Sequence, residues 1–163
     1  MGKMKTDTKA KNTFLLGGVL TIAFAHFVHD IFTSLVAPLL PLLINKLELT
    51  LFLAGTFSVL PQIPLFFNPL VGSIVDRGGY AKALVIISPF ITCVAICLLG
   101  SAPSYGVAAA LLLTCGLSVA AIHLAAPVIM VELAGDRVGR GMSFFMAGGE
   151  TARLLGPPLA VAA

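Results

Sequence analysis

Apolar residues along this chain neither alternate with polar ones, as in a half-buried strand, nor gather on a single helical stripe; they run in long blocks parted by short polar breaks. Five blocks stand out, at 14–44, 50–75, 82–101, 104–132 and 141–163. Each reaches the length of about 20 residues that a helix needs to cross a hydrocarbon core. A segment surrounded by lipid must satisfy its backbone polar groups internally, and the blocks lack the alternation of barrel strands, so they predict helices. The expected fold is all-α: a polytopic membrane bundle of five transmembrane helices over residues 14–163, preceded by a basic N-terminal segment, residues 1–13.

Composition agrees. Of the residues, 58% are hydrophobic and 10% charged, against roughly 25% charged in soluble domains, and the mean hydropathy is +1.05. The net charge of +3 does not point to nucleic acid, because the basic residues sit in short loops between spans. Lys3, Lys5, Lys9, Lys11, Arg77, Lys82, Arg137 and Arg140 fall on one side and Lys46 on the other, so the positive-inside rule predicts a cytoplasmic N-terminus. The first block is too long, and too polar at His26, His29 and Asp30, for a signal peptide. It would be about 45 Å long as a straight helix, which predicts a tilt or a bend at Pro38 and Pro41. The last block ends at Ala163 without a polar anchor, as expected of a truncated product or a fragment.

An ionisable group at bilayer depth costs at least about 2.5–3.5 kcal/mol and needs a partner or an aqueous path. His26 and Asp30, four apart, share a helical face, with His29 at its edge. A carboxylate beside an imidazole can exchange protons, which makes Asp30 and His26 the expected proton-coupling pair. Interhelical hydrogen bonding by the histidines, or a transition-ion site at His26, His29 and Asp30, are the other readings of the same spacing. In the fifth block Glu150 and Arg153, three apart, can pair and present guanidinium donors to a substrate. His123 and His29 join them as candidate substrate contacts, although His123 also stands one turn before Pro127, whose missing N–H frees the His123 carbonyl. Cys93, Cys97 and Cys115 all lie within spans; the first two read as small packing residues.

Gly148, Ala152, Gly156 and Ala160 recur every four residues, a stripe that lets another helix approach closely. Gly156-Pro157-Pro158 interrupts the hydrogen-bond ladder of that helix, and Pro61, Pro64 and Pro69 predict a bent second span. No nucleophile–base pair or metal-hydrolase motif suggests an enzyme.

Between the second and third blocks stands Gly72-Ser73-Ile74-Val75-Asp76-Arg77-Gly78-Gly79. Gly72 and Asp76 share a face at the helix end, which would let a neighbouring helix come near with its positive N-terminus toward the carboxylate. This run resembles the G-x-x-x-D-[RK]-x-G loop signature of the major facilitator superfamily, with Gly72, Asp76, Arg77 and Gly79 on its positions. His26-Phe27-Val28-His29-Asp30, Asn68-Pro69-Leu70-Val71-Gly72, and Gly148-Gly149 followed by Leu155-Gly156-Pro157 look like the fosmidomycin-resistance-type efflux branch of that superfamily. Tyr80 and Ala81 stand where the loop signature usually has basic residues. In the stretch Leu112-Leu113-Thr114-Cys115-Gly116 a leucine replaces the arginine of many proton–drug antiporters, so the acids of the first or fifth span would carry any protons.

The resemblance implies a secondary active transporter of the bacterial inner membrane, effluxing small polar or drug-like molecules against proton entry, with drug resistance as its outcome. It implies gating at Gly72, Asp76, Arg77 and Gly79, helix packing at Gly148, Ala152, Gly156 and Pro157, and no cofactor. Family members have about twelve helices in two halves, so the expected partners are substrate, protons, the lipid bilayer and a C-terminal half of the transporter. A truncated, non-transporting membrane scaffold and a transition-metal transporter are the alternatives. Arg77 is expected to seek Glu132 or Asp136.

Overall fold

The computed structural model describes residues 13–162, and the predicted basic segment with Lys3, Lys5, Lys9 and Lys11 lies outside the described residues but for its last position. Among the described residues there is no strand. The first block forms α1 (Leu16–Ser34) and α2 (Val36–Leu47). They part at Leu35, because Pro38 has no N–H for the Ser34 carbonyl and its ring crowds that oxygen. The second block forms α3 (Leu51–Val59), a 3₁₀ segment (Leu60–Phe67) and α4 (Asn68–Gly78). Thr50 caps α3 by accepting from the Leu53 N–H at 3.3 Å, while Pro61 and Pro64 tighten the middle of the crossing into 3₁₀ geometry, as the proline spacing predicts. Then come α5 (Ala81–Leu99), α6 (Tyr105–Ala134) and α7 (Val138–Ala162).

The expected count of five separate helices needs correction. The long apolar helical runs number four among the described residues: 16–47, 51–77, 81–99 and 105–162. The last is 58 residues long because α6 passes into α7 through a 3₁₀ turn at Gly135–Arg137, with Gly135 at φ 54°. The chain reverses there within three residues: Gly141 of α7 lies against Ala134 and Met130 of α6. Helix α7 also runs unbroken through Pro157 and Pro158, so the expected interruption is confined to the bonds those two N–H groups would have made.

The start of α1 sits beside the end of α6, where the Leu15 N–H donates to the Leu133 carbonyl at 2.9 Å. It also sits beside the start of α7, where the Arg140 guanidinium lies 5.1 Å from the Phe14 ring centroid. Helix α1 is therefore antiparallel to α6 and parallel to α7. At the other end Lys46 donates to the Gly100 carbonyl at 2.8 Å and ties the end of α2 to that of α5.

Small residues set the spacing. A side chain on Gly148 would run into the Ala23 carbonyl of α1, one on Gly156 into the Ser34 hydroxyl, and one on Gly116 into the Pro61 carbonyl of the 3₁₀ segment. Ala152, between the two α7 glycines, is fully buried. The predicted stripe is thus the α1–α7 seam. Gly72 faces open space: among the described residues nothing lies within 4 Å of where its Cβ would be. Cys97 is likewise exposed rather than packed.

The buried core falls into two apolar clusters that share no residue. One gathers Val19, Ile22, Val85, Ile129, Met130 and Phe145 near the start of α1; the other gathers Leu43, Phe57, Ile96, Leu99 and Leu112 near the end of α2. Between them lie the buried polar residues of the described chain, His26, His29, Asp30, Ser88, Thr92 and Ser118. Large apolar side chains such as Phe24, Leu51, Phe66 and Phe90 point outward, which suits a surface solvated by lipid rather than water.

Gly116→Val and Gly72→Ala should move stability in opposite directions. The first forces backbone apart at Pro61 and should cost about 1–3 kcal/mol; the second adds a methyl to an open helical position and should gain about 0.5–1 kcal/mol. Thermal unfolding of the full chain in detergent measures both.

Candidate functional site: a buried carboxylate reached from three helices

Asp30 lies about 21 Å along α1 from Leu16 and Glu150 about 18 Å along α7 from Val138 at helical rise, both near the middle of a crossing. Asp30 is 2% exposed. Its carboxylate is ringed by groups of either positive or proton-bearing character. On α1 itself, His26 Nε2 stands 3.3 Å from Oδ2 and His29 Nδ1 stands 3.0 Å from Oδ1. From α6, His123 Nε2 stands 3.7 Å from Oδ1. From α7, Arg153 donates to Oδ2 at 3.1 Å through one terminal nitrogen while the other donates to Glu150 at 2.6 Å.

The local sequence explains why these groups can meet. The four-residue spacing of His26 and Asp30 stacks them one above the other on α1. Gly149 leaves room for the His26 ring, since a Cβ there would strike its Cε1. The ring stacks on Phe145 with centroids 3.9 Å apart, and Nδ1 donates to the Phe145 carbonyl at 2.8 Å. That bond fixes Nδ1 as the protonated nitrogen, because a carbonyl can only accept. His26 Nε2 has no hydrogen-bond partner and is buried.

On the other side of Asp30, His29 Nε2 lies 3.0 Å from the Thr92 hydroxyl of α5. Thr92 donates to Ser118 of α6 at 2.8 Å, and Ser118 donates to the Ser88 carbonyl of α5 at 2.7 Å. The network therefore crosses α7, α1, α5 and α6 in one layer.

Arg153 also faces a cavity of about 430 Å³, lined by Thr33 and Ser34 beside the α1–α2 break, Ser58 and Gln62 of the second crossing, and Cys115 of α6. Glu150 is exposed, and the Arg153 side chain is half exposed. A charged pair at this depth cannot rest in hydrocarbon, so this face of α7 belongs to an aqueous path or to a protein contact.

The predicted residues are thus distributed unevenly. His26, His29, Asp30, His123, Glu150 and Arg153 come together at one site. Of these only Arg153 lines the cavity; His29 is fully buried and faces Thr92. His123 points at Asp30 rather than serving only the Pro127 kink. Gly72, Asp76, Arg77 and Gly79 stand apart at the end of α4. Gly79 adopts φ 62° and terminates that helix, a conformation suited to glycine. Asp76 and Arg77 are exposed, and among the described residues no ion pair joins Arg77 to Glu132 or Asp136, contrary to expectation. The three donor atoms of His26, Asp30 and His123 lie within 4.8 Å of one another. Arg153 already places a full positive charge on the same carboxylate, which opposes a cation there.

Thr92, Ser118, Ser88 and the cavity-lining Ser58 and Gln62 were not foreseen. Their signal is a hydroxyl or amide inside an apolar block, but Thr21, Thr114, Ser143 and Thr151 show the same signal and merely bond back to their own helix, each to the carbonyl four residues earlier. Only the packing separates the two groups.

Removal of Arg153 should expose how firmly the carboxylate depends on it. Arg153→Met is expected to destabilise by about 1–3 kcal/mol, and the Asp30→Asn, Arg153→Met pair to be non-additive by at least about 0.5 kcal/mol in a double-mutant cycle. Detergent unfolding midpoints of the four proteins give the coupling.

Comparison with known proteins accords with this arrangement. The chain is 30% identical, over 162 residues and 98% of its length, to the fosmidomycin resistance protein of Escherichia coli strain K12, of which it spans 39%. No solved structure matches it. The family model described as Major Facilitator Superfamily matches residues 22–163. With its stacked apolar crossings and a charged layer held between them, the chain is a multi-pass membrane protein and belongs to the major facilitator superfamily of transporters.

Proposed function

We propose that the chain belongs to a proton-coupled secondary transporter that expels small polar or drug-like molecules across a bacterial inner membrane. The observation that carries this reading is the position of Arg153, which holds the buried Asp30 carboxylate with one nitrogen and faces an open cavity with the rest of its guanidinium.

The chemistry follows from competition for that guanidinium. While Asp30 is ionised, Arg153 is held against it by charge and hydrogen bonding. A proton on the carboxylate removes the charge and frees Arg153 for a polar group in the cavity, with Glu150 keeping it in place. A substrate that draws Arg153 away in turn favours protonation of Asp30. The two events are linked, and linkage is reciprocal. His26 stands beside Oδ2 as the proton donor or acceptor on the path to Asp30, and the half-exposed His123 offers an approach from α6. His29 acts from within the packed layer.

The loop cations Arg77, Lys82, Arg137 and Arg140 share one end of the bundle with Phe14, and Lys46 stands at the other. By the positive-inside rule that end is cytoplasmic, and the N-terminus with it. Asp76 and Arg77, exposed at this end beside the left-handed Gly79, are placed to make and break contacts as the cytoplasmic side opens. The relative's name, fosmidomycin resistance protein, accords with efflux of a small polar compound.

Asp30→Asn should abolish the dependence of efflux on a pH gradient in membrane vesicles while leaving the protein's expression intact. Drug export that still follows the imposed gradient in that variant would reject the role of Asp30. Arg153→Lys keeps the charge but loses the fork that reaches Asp30 and Glu150 together; it should retain proton exchange and weaken substrate competition, read as a raised KM.

A further inference from the structure

Each hydrogen in the Asp30 layer can be assigned from its acceptors, and the assignment leads to a proton stored in this conformation. The Ser88 carbonyl can only accept, so the Ser118 hydroxyl spends its one hydrogen there, at 2.7 Å. Ser118 then has only lone pairs for Thr92, whose hydroxyl must donate to it at 2.8 Å. Thr92 in turn has only lone pairs for His29, so Nε2 of His29 is the donor across their 3.0 Å contact. A neutral imidazole carries one hydrogen, and Nε2 has it. His29 Nδ1 would then meet Asp30 Oδ1, 3.0 Å away, lone pair against lone pair.

We infer that the His29–Asp30 pair holds one extra proton on the line between Nδ1 and Oδ1, and that Thr92 and Ser118 are the positioning residues that keep it there. Two arrangements satisfy the count: an imidazolium donating to a carboxylate, or a carboxylic acid donating to a neutral Nε2–H imidazole. Both contain the same number of hydrogens, and in both His29 Nε2 is protonated. The groups facing the pair are His26 on α1, His123 on α6, and Arg153 with Glu150 on α7. Helix α5 supplies only the Thr92 hydroxyl.

The consequence is a release rule. If α5 and α6 part enough to break the Thr92–Ser118 bond, the Thr92 hydroxyl can turn its hydrogen toward His29 Nε2. The Nε2 hydrogen is then given up to water entering between the parted helices, and His29 is left as the Nδ1–H tautomer donating to an ionised Asp30. A movement between helices is thereby converted into a change of one bound proton. This deepens the reading of Asp30 as the exchange site and rests on it only for the direction of use, since the hydrogen count stands without any transport.

Nitrogen-15 NMR of the histidine-labelled full chain in lipid bilayers at neutral pH tests it. The expected result is a His29 Nε2 that bears hydrogen in the unsubstituted protein, lost in Thr92→Val, which removes the hydroxyl acceptor, and restored in Thr92→Ser. A His29 found as the Nδ1–H tautomer with bare Nε2 in the unsubstituted chain would overturn the inference, as would an unchanged Nε2–H signal in a folded Thr92→Val protein. Because no transport is measured, a failed Asp30→Asn efflux experiment and a failed tautomer assignment remain separate results.

Discussion

A carboxylate among apolar helices is tolerable only if donors reach it, and the helix arrangement around Asp30 can be read as the means of supplying them. Its own helix provides His29, one residue away, and sets the His26 ring beside Oδ2 one helical turn away. The remaining donors come from elements far along the chain, His123 on α6 and Arg153 on α7. For a guanidinium on α7 to reach Oδ2, that helix must lie close against α1. Gly148, Gly149, Ala152 and Gly156 make this approach possible, because a larger residue at any of the three glycines would meet the α1 backbone, the His26 ring or Ser34. The small-residue seam and the buried charge are therefore one design. Close packing without the ion pair would bury an unpaired charge, and the ion pair without close packing could not form.

The proline positions place flexibility next to that charge. The break at Leu35 falls five residues after Asp30, and the 3₁₀ segment Leu60–Phe67 faces it across the cavity that Arg153 lines. Ser34, at the break, donates to the Ile31 carbonyl at 2.7 Å and so occupies an oxygen that helix irregularity would otherwise leave poorly bonded. Backbone groups freed by proline are satisfied in a membrane only by neighbours or by a polar cavity. Here the cavity lies beside both sets of prolines.

Much of this was legible in the sequence. The apolar blocks located the crossings to within a few residues, since the bilayer's thickness leaves little freedom in where a spanning helix starts and stops. The missing N–H of Pro38, Pro61 and Pro64 located the bends, whereas Pro41 is carried inside an unbroken α2. The i,i+4 spacing of His26 and Asp30, the i,i+3 spacing of Glu150 and Arg153, and the four-residue recurrence of small residues each described one face of one helix correctly, because a helix's own geometry relates those positions. What connects one helix to another was beyond such spacing. Nothing local marks Thr92 rather than Thr114 as the hydroxyl that reaches His29, nor Phe145 as the source of the carbonyl that orients His26. The expected partner of Arg77 fails for the same reason. That pairing is a tertiary contact, which no spacing along one helix encodes, and the helix end concerned stands open in the structure.

The division of the core gives the polar layer a mechanical meaning. The apolar clusters on its two sides share no residue, and side chains of one are not wedged into the other. Dispersion and burial stabilise each cluster through its own contacts, so parting the helices at one end need not unpack the other. The layer between them is joined by a few directional bonds, from Ser118 to Ser88, Thr92 to Ser118, His29 to Thr92 and Asp30, and Arg153 to Asp30. Such bonds are strong when satisfied and costly when half broken, and they have discrete alternatives, since a hydroxyl or an imidazole can exchange donor for acceptor. A bundle held by two independent apolar ends and a polar waist of exchangeable bonds favours discrete packings over a continuum. The proposed proton at Asp30 and the guanidinium beside the cavity would both act on that waist.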